Sequence, residues 1–104
     1  MIIEDIYEQL RNDNVVESAY EFSKRFLNKC PTYYSVIKSR SMEPKLDTLL
    51  YLEAQLSESA LFYKKYNTPN FIRTYNHIAK LNERLSNYNK GIIGMHKILH
   101  KKAV

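Results

Sequence analysis

Cysteine, glycine, proline and long apolar runs are scarce in this chain of 104 residues, and tryptophan is absent. A single cysteine, Cys30, excludes an internal disulfide and is compatible with a reducing compartment. Two glycines and three prolines favour an ordered, helical protein without a low-complexity linker. No apolar run approaches the roughly 18 residues needed to cross a bilayer, and acids replace a basic signal region at the N-terminus. We therefore expect a cytoplasmic protein with no membrane partner.

Residue patterns for catalysis and cofactor binding are also missing. The sequence has no catalytic carboxylate pair, glycine-rich phosphate loop, nucleophile elbow or triad, so we expect neither an enzyme nor a cofactor. His96 and His100 are four residues apart, a spacing that metal ligands use on helices, but no cysteine or carboxylate lies near them in sequence. We therefore expect no metal site, and we interpret Cys30 as a structural residue.

The 16 bases and 11 acids are distributed unevenly, and the net charge is +5. Residues 1–23 contain six acids and one base, whereas residues 24–45 contain six bases and one acid. Residues 46–58 contain only acids among their charged side chains, and residues 59–104 contain nine bases and a single acid. Because bases neutralise phosphates, the two basic segments favour nucleic acid as a partner, although a basic face is more often simply solvated.

Apolar spacing and capping residues predict three short helices in the N-terminal part of the chain. The first should span residues 2–11. Ser18 and Glu21 have the spacing of a capping box, which predicts the start of a second helix. The second and third helices are predicted over residues 19–27 and 31–39. Two short helices separated by a tight break suit insertion into the major groove of DNA.

Two longer helical segments are expected after a loop over residues 41–44. The first should close the core with five leucines: Leu46, Leu49, Leu50, Leu52 and Leu56. Thr68 and Pro69 form a start signal for a long C-terminal helix. Gly91 and Gly94 are expected to end or bend that helix near residue 90. The predicted fold class is therefore all-α, a small helix-turn-helix bundle with a C-terminal long-helix extension.

Apolar residues of the C-terminal segment fit a heptad repeat, which is typical of helices that pair along a seam. We assign residues 1–58 to a DNA-binding domain and residues 59–104 to a basic helical extension. The candidates for dimerisation are Phe71, Ile78, Leu81, Leu85 and Tyr88. The same seam would also form by packing within one chain, so both arrangements remain open.

Three short segments carry a resemblance to a known family. Residues 22–23 (FS) stand where that family has an apolar residue and alanine, residues 34–37 (YSVI) where it has isoleucine-serine-x-isoleucine, and residues 44–49 (PKLDTL) where it has proline-x-leucine-x-threonine-leucine. Residues 18–56 thus resemble the lambda-repressor-like, or xenobiotic-response-element, family of helix-turn-helix proteins. The turn is longer and lacks the family's glycine. The resemblance implies a five-helix bundle that binds two-fold symmetric operators as a dimer.

The resemblance also implies which residues contact DNA. The candidates for contacts with base edges are Thr32, Tyr33, Ser35, Val36 and Ser39. For phosphate contacts the resemblance implies Lys29, Arg40 and Lys45, and we add Lys24, on the outer side of the second helix, and Lys38, which stands where the family often has glutamate. No arginine lies at the centre of this face to read guanine in bidentate fashion, so specificity should depend on DNA shape and on dimerisation.

The sequence therefore predicts a transcriptional regulator of the repressor type that binds duplex DNA as a homodimer. One alternative is a protein-binding adaptor, such as an antitoxin or a phage-encoded inhibitor, whose basic tail binds a protein partner. Another alternative is an architectural protein that binds DNA without sequence preference and with steep salt dependence.

Overall fold

The described part of the chain forms five α-helices, and the all-α fold class that the sequence predicted is confirmed. The computed structural model describes the backbone of residues 1–102 and the side chains of residues 1–95. The helices are α1 (Ile2–Asn12), α2 (Ala19–Arg25), α3 (Tyr33–Ser39), α4 (Leu46–Lys65) and α5 (Pro69–Lys102). No strand occurs among the described residues. No helix in this part of the chain is both long and apolar enough to span a bilayer.

Helix α1 forms where apolar residues recur at helical spacing. Ile3, Ile6 and Leu10 are fully buried on one face. Acids in its first turn and Arg11 in its last turn complement the helix dipole. The chain then reverses at Asn14, whose φ of 58° lies in the left-handed region that asparagine tolerates. This reversal brings the next residues, which are buried, back against the same core.

One core joins all five helices. Its fully buried side chains include Ile3, Ile6 and Leu10 of α1, Phe22 of α2, Leu49, Leu52 and Leu56 of α4, and Ile78 and Leu85 of α5, with Tyr34 and Ile37 of α3 nearly as buried. The domain boundary expected at residue 58 falls inside α4. The two predicted segments therefore share one core and are stabilised together.

Helices α4 and α5 form an antiparallel hairpin, which is the largest contact between helices. The buried amide of Asn89 donates to the backbone oxygen of Leu49 at 3.3 Å and to the Glu53 carboxylate at 3.0 Å. Farther along, the amide of Asn82 donates to the Ser57 hydroxyl at 2.8 Å. These bonds favour one register of the two helices because they join particular positions of α5 to particular positions of α4.

Two expectations about these helices are wrong. Helix α5 continues through Gly91 and Gly94 to Lys102 instead of ending near residue 90. Neither glycine has the positive φ of a terminating residue, and the cost of a helical glycine, about 1 kcal/mol, is small beside the tertiary packing of the preceding turns. In α4, Leu50 is 42% exposed and lies outside the core. It follows Leu49 by one residue and so points away from the buried stripe.

Candidate nucleic-acid interface

The predicted capping residues, Ser18 and Glu21, stabilise the start of α2, but their hydrogen bonds differ from those of a standard capping box. The Ser18 hydroxyl accepts a hydrogen bond from the backbone N–H of Glu21 at 3.1 Å. The Glu21 carboxylate reaches back to the N–H of Glu17, at 3.0 Å, one residue before the position that a capping box uses. This bond, together with the Arg25 guanidinium, lowers the pKa of Glu21. The helix start is therefore stabilised by a charged carboxylate.

The connection between α2 and α3 is longer than the sequence predicted. Helix α2 ends at Arg25, and α3 begins at Tyr33. Asn28 adopts a left-handed φ of 55° and turns the chain. The N–H of Tyr33 bonds to the carbonyl of Cys30 at 3.0 Å, so Pro31 belongs to a turn and not to the first turn of α3. The connection, residues 26–32, exceeds the about 3–4 residues common in helix-turn-helix motifs.

A buried hydroxyl joins α2 to α3. Ser23 donates to the carbonyl of Ala19 at 2.8 Å and accepts from the N–H of Tyr34 at 3.0 Å. The Tyr34 ring stacks on Tyr7 with centroids 4.6 Å apart and meets Phe22 edge-on at 5.3 Å. Tyr34 and Ile37, on the inner face of α3, are buried, as predicted. The orientation of α3 is thus set by one hydrogen bond and an aromatic cluster.

The outer face of α3 contains most of the candidates for base contacts. Thr32, Ser35, Val36 and Ser39 are exposed. Val36 is 39% exposed and presents its methyl groups, while the Ser39 hydroxyl donates to the Val36 carbonyl at 3.0 Å and keeps its lone pairs as acceptors. Tyr33 is half-buried against the core and is less available than the others. The structure therefore brings four of the five candidates to the surface in and just before one short helix.

Exposed bases precede, lie within and follow α3 in the sequence. The candidates for phosphate contacts, namely Lys24, Lys29, Lys38, Arg40 and Lys45, are all exposed. Among residues 1–95, the ion pairs involve other bases, namely Arg25 with Glu21 and Arg84 with Asp5, and the imidazole of His77 contacts Asp13. The five candidate bases are therefore not committed to an internal carboxylate.

Two of these bases, Lys24 and Lys29, lie near aromatic rings, and Lys29 also lies near an acid. The ammonium of Lys24 lies 5.8 Å from the Tyr20 ring centroid, and that of Lys29 lies 5.7 Å from the Tyr33 ring. Lys29 also lines a small cavity together with Asp47 at the start of α4. The Asp47 carboxylate offsets part of the positive charge at this end of the face.

The dimerisation candidates occupy different environments. Ile78 and Leu85 are completely buried in the core of one chain, so we correct their assignment to a dimer interface. Phe71 and Leu81 are half-buried. Only Tyr88 is exposed, and its hydroxyl donates to Glu43 at 3.2 Å. Burial and the nearby Glu43 carboxylate raise the pKa of Tyr88. The heptad pattern reflects packing of α5 within the chain at its most buried positions.

A polar cluster between α1 and α5 was missed by sequence reasoning. Nδ1 of His77 lies 2.9 Å from the Asp13 carboxylate, and the Gln9 amide donates to the same carboxylate at 3.1 Å. On the same side of the fold, Arg84 pairs with Asp5 at 2.9 Å. No local signal could reveal the contacts of His77 and Arg84 because each of these residues is separated from its partner by most of the chain.

Metal ligands are not assembled in the described part of the structure. Among residues 1–95, no group of three or more histidine, cysteine, aspartate and glutamate side chains could hold a metal ion. His96 and His100, considered above as ligands, lie outside the residues whose side chains are described. Cys30 is an exposed free thiol 3.7 Å from the Thr32 hydroxyl.

Comparison with known proteins gives one match. A family model described as a family of unknown function, DUF6626, matches residues 3–92. The matched region covers α1 to α4 and most of α5. No curated protein and no solved structure matches the sequence.

Proposed function

This chain belongs to the DUF6626 family, whose function is unknown, and we propose that it is a sequence-specific DNA-binding regulator of the repressor type. The observation that carries the proposal is the exposed outer face of α3, which lies among five exposed bases without carboxylate partners among residues 1–95. Phosphate contacts would supply most of the affinity, and α3 would supply the sequence preference. The resemblance of residues 18–56 to lambda-repressor-like domains supports the same function.

In the proposed complex, α3 enters the major groove. Val36 would meet thymine methyl groups, and the hydroxyls of Ser35 and Ser39 would bond to base edges. The bonds of Ser23 would hold α3 against α2 while the surrounding lysines contact phosphates on either side of the groove. Repression would follow when the bound protein blocks RNA polymerase.

We further propose that two copies bind together. The buried seam of α5 is occupied by α4, so a second copy would have to use exposed side chains. Tyr88 and Met95 are seven residues apart, exposed and on one face of α5, and Ile92 between them is half-buried. A dimer through this face would place two α3 helices on half-sites about 34 Å apart.

Selection of bound duplexes from a random DNA pool tests this function directly. At about 0.15 M salt, where long-range attraction is already screened, we expect the purified full chain to enrich a two-fold symmetric motif. A parallel selection with Val36→Ala should change the enriched bases, whereas Leu50→Ala, an exposed leucine on another helix, should leave them unchanged. A folded protein that enriches no motif would refute sequence-specific binding. A motif without two-fold symmetry would refute the dimer only.

A further inference from the structure

Exposed apolar side chains are concentrated where α4 ends and α5 begins. We call residues 61–73 the hairpin tip. Leu61 is 68% exposed, Phe62 52%, Tyr66 44% and Ile72 42%. They lie within the last two turns of α4, the residue after it and the first turn of α5. A concentration of exposed apolar side chains within a short segment marks an interaction site more often than scattered single residues do.

Aromatic contacts organise the hairpin tip without burying it. The Phe62 ring lies 5.2 Å from Tyr66, and Phe71 lies 5.2 Å from Tyr63 and 5.5 Å from Tyr66, between ring centroids. These edge-to-face and tilted contacts restrict the rings before any partner binds. Phe62 nevertheless keeps half of its surface in water. The contacts within the turn therefore leave part of this ring available to a partner.

All formal charges on the hairpin tip are positive. Lys64, Lys65 and Arg73 are exposed, and they outnumber the two acids beside the tip: Glu58, which lines a cavity with Phe62, and Asp13, which lines a cavity with Arg73. Two tips facing each other would bring six bases together, which opposes self-association through this surface. The charge instead complements an anionic partner.

The hairpin tip lies at one end of the molecule. At 1.5 Å per residue, a helix of the length of α5 extends about 51 Å, close to the longest dimension of the molecule, 53 Å. An extended flat surface can therefore approach the tip along the long axis. A lipid interface accepts exposed aromatic and aliphatic side chains beside basic ones directly.

We propose that the hairpin tip binds an anionic lipid surface. Leu61, Phe62 and Ile72 enter the boundary between headgroups and acyl chains, and Tyr66 stays at headgroup level with its hydroxyl in water. Lys64, Lys65 and Arg73 contact headgroup phosphates. This proposal replaces the expectation of no membrane partner. That expectation depended on the absence of a long apolar run, and such a criterion does not detect a short exposed apolar cluster.

The lipid surface and the proposed DNA surface are compatible. Helix α3 precedes the N-terminal end of α4, and the hairpin tip lies at the other end, about 30 Å away along a 20-residue helix. The lipid proposal does not depend on DNA binding, because the two surfaces share no residue.

Sedimentation of the full chain with lipid vesicles tests the proposal. Vesicles of phosphatidylglycerol mixed with phosphatidylcholine should bind the protein, and vesicles of phosphatidylcholine alone should bind far less. Lys64→Gln with Lys65→Gln should weaken binding to the anionic vesicles roughly 30-fold. Phe62→Ser with Ile72→Ser should also abolish most binding. Both pairs are exposed, so circular dichroism should show unchanged helix content.

Two matched controls separate the hairpin tip from the rest of the surface. Leu50→Ser removes an apolar residue of α4 that is as exposed as Ile72. Lys24→Gln with Lys29→Gln removes two exposed bases that precede α3 in the sequence. Neither should change vesicle binding as the tip variants do. No sedimentation with anionic vesicles would overturn the proposal and favour an acidic protein as the occupant. Equal losses of vesicle binding in the control and tip variants would also overturn the proposal. So would the finding that the unaltered protein is a dimer and that Phe62→Ser with Ile72→Ser dissociates it.

Discussion

The hydroxyl of Ser23 accepts the backbone N–H of Tyr34, with the two atoms 3.0 Å apart, and so connects α2 to the first turn of α3. Both residues are buried. Because the same hydroxyl donates to the carbonyl of Ala19, its donor and one acceptor position are both used. The candidate DNA-reading face is therefore oriented from behind by a polar contact within an otherwise aromatic cluster.

Replacing Ser23 with alanine should leave the N–H of Tyr34 buried without a partner. An unsatisfied buried donor costs about 1–3 kcal/mol, and we expect Ser23→Ala to lower the free energy of unfolding by this amount. Urea denaturation followed by circular dichroism would measure the change. The matched control, Ser35→Ala, alters an exposed serine of α3 and should have an effect within about 0.5 kcal/mol. Equal stability of the two variants would show that the bond does not stabilise the packing of α2 against α3.

Glu21 should make stability depend on pH in the acidic range. Its pKa is lowered below the ordinary value of 4.5 by the Glu17 N–H and by Arg25. The stabilisation is therefore present above the unfolded-state pKa and is lost as the pH falls through the lower folded-state pKa. Glu21→Gln should reduce stability at neutral pH and flatten its decline between about pH 5 and 3.

The matched control for Glu21 is Glu17→Gln. This change removes a nearby exposed charge but keeps the backbone N–H that Glu21 binds. Urea denaturation at several pH values should show a steep acidic decline for Glu17→Gln and a shallow one for Glu21→Gln. Parallel profiles for the two variants would contradict the assigned cause.

The hydrophobic pattern allowed much of the fold to be predicted, since α1, the start of α2 and the buried side of α3 depend on local spacing and capping. Thr68 likewise caps α5, where its hydroxyl accepts the N–H of Phe71 at 3.4 Å. The connection after α2 was predicted less well because its shape depends on Asn28, a residue whose left-handed conformation is allowed but not required by sequence.

Features that depend on distant partners could not be predicted. A heptad shows that α5 has an apolar stripe, but only the tertiary structure shows that Ile78 and Leu85 are covered by the same chain. The contact between Asp13 and His77 joins ends of different helices and has no local signature. For the candidate DNA face, the sequence indicated its residues, and the structure adds that Tyr33 is turned partly into the core.

Packing of α5 within the chain predicts the behaviour of Ile78→Ala. Truncating a fully buried isoleucine should cost about 2–5 kcal/mol of stability, and the loss should not depend on protein concentration. Thermal unfolding over a range of concentrations would measure both. Leu61→Ala, at an exposed position, is the control and should change the free energy of unfolding by less than about 0.5 kcal/mol. If the unfolding temperature of Ile78→Ala rises with protein concentration more steeply than that of the unaltered protein, Ile78 lies at an interface between copies.

Tyr34 should be the last tyrosine to ionise. Burial, with the acids of α1 adding to it, raises its pKa to about 12. The folded state therefore retains this proton more strongly than the unfolded state, and its contribution to stability is complete below about pH 10 and is lost as the pH rises towards about 12. Phenolate absorbance should show Tyr34 ionising last of the nine tyrosines, after Tyr63 and Tyr88, whose pKa values are also raised, and Tyr34→Phe should remove the step near pH 12. Tyr20→Phe, at an exposed position, should retain it. A step near pH 12 that persists in Tyr34→Phe would assign it to another tyrosine.

Distinct roles within the proposed DNA face predict distinct binding defects. In the proposed complex Lys45 contacts phosphate, so Lys45→Gln should weaken all duplexes alike and reduce the slope of affinity against salt by about one ion. In the proposed complex Val36 contacts thymine methyl groups, so Val36→Ala should cost about 1–2 kcal/mol on the preferred sequence, for two methyl groups that lose their contact, and little on others. Fluorescence anisotropy with selected and scrambled duplexes at several salt concentrations would separate the two effects. Lys65→Gln, at the far end of α4, should leave both quantities unchanged. If Val36→Ala instead weakens selected and scrambled duplexes equally, α3 does not read sequence.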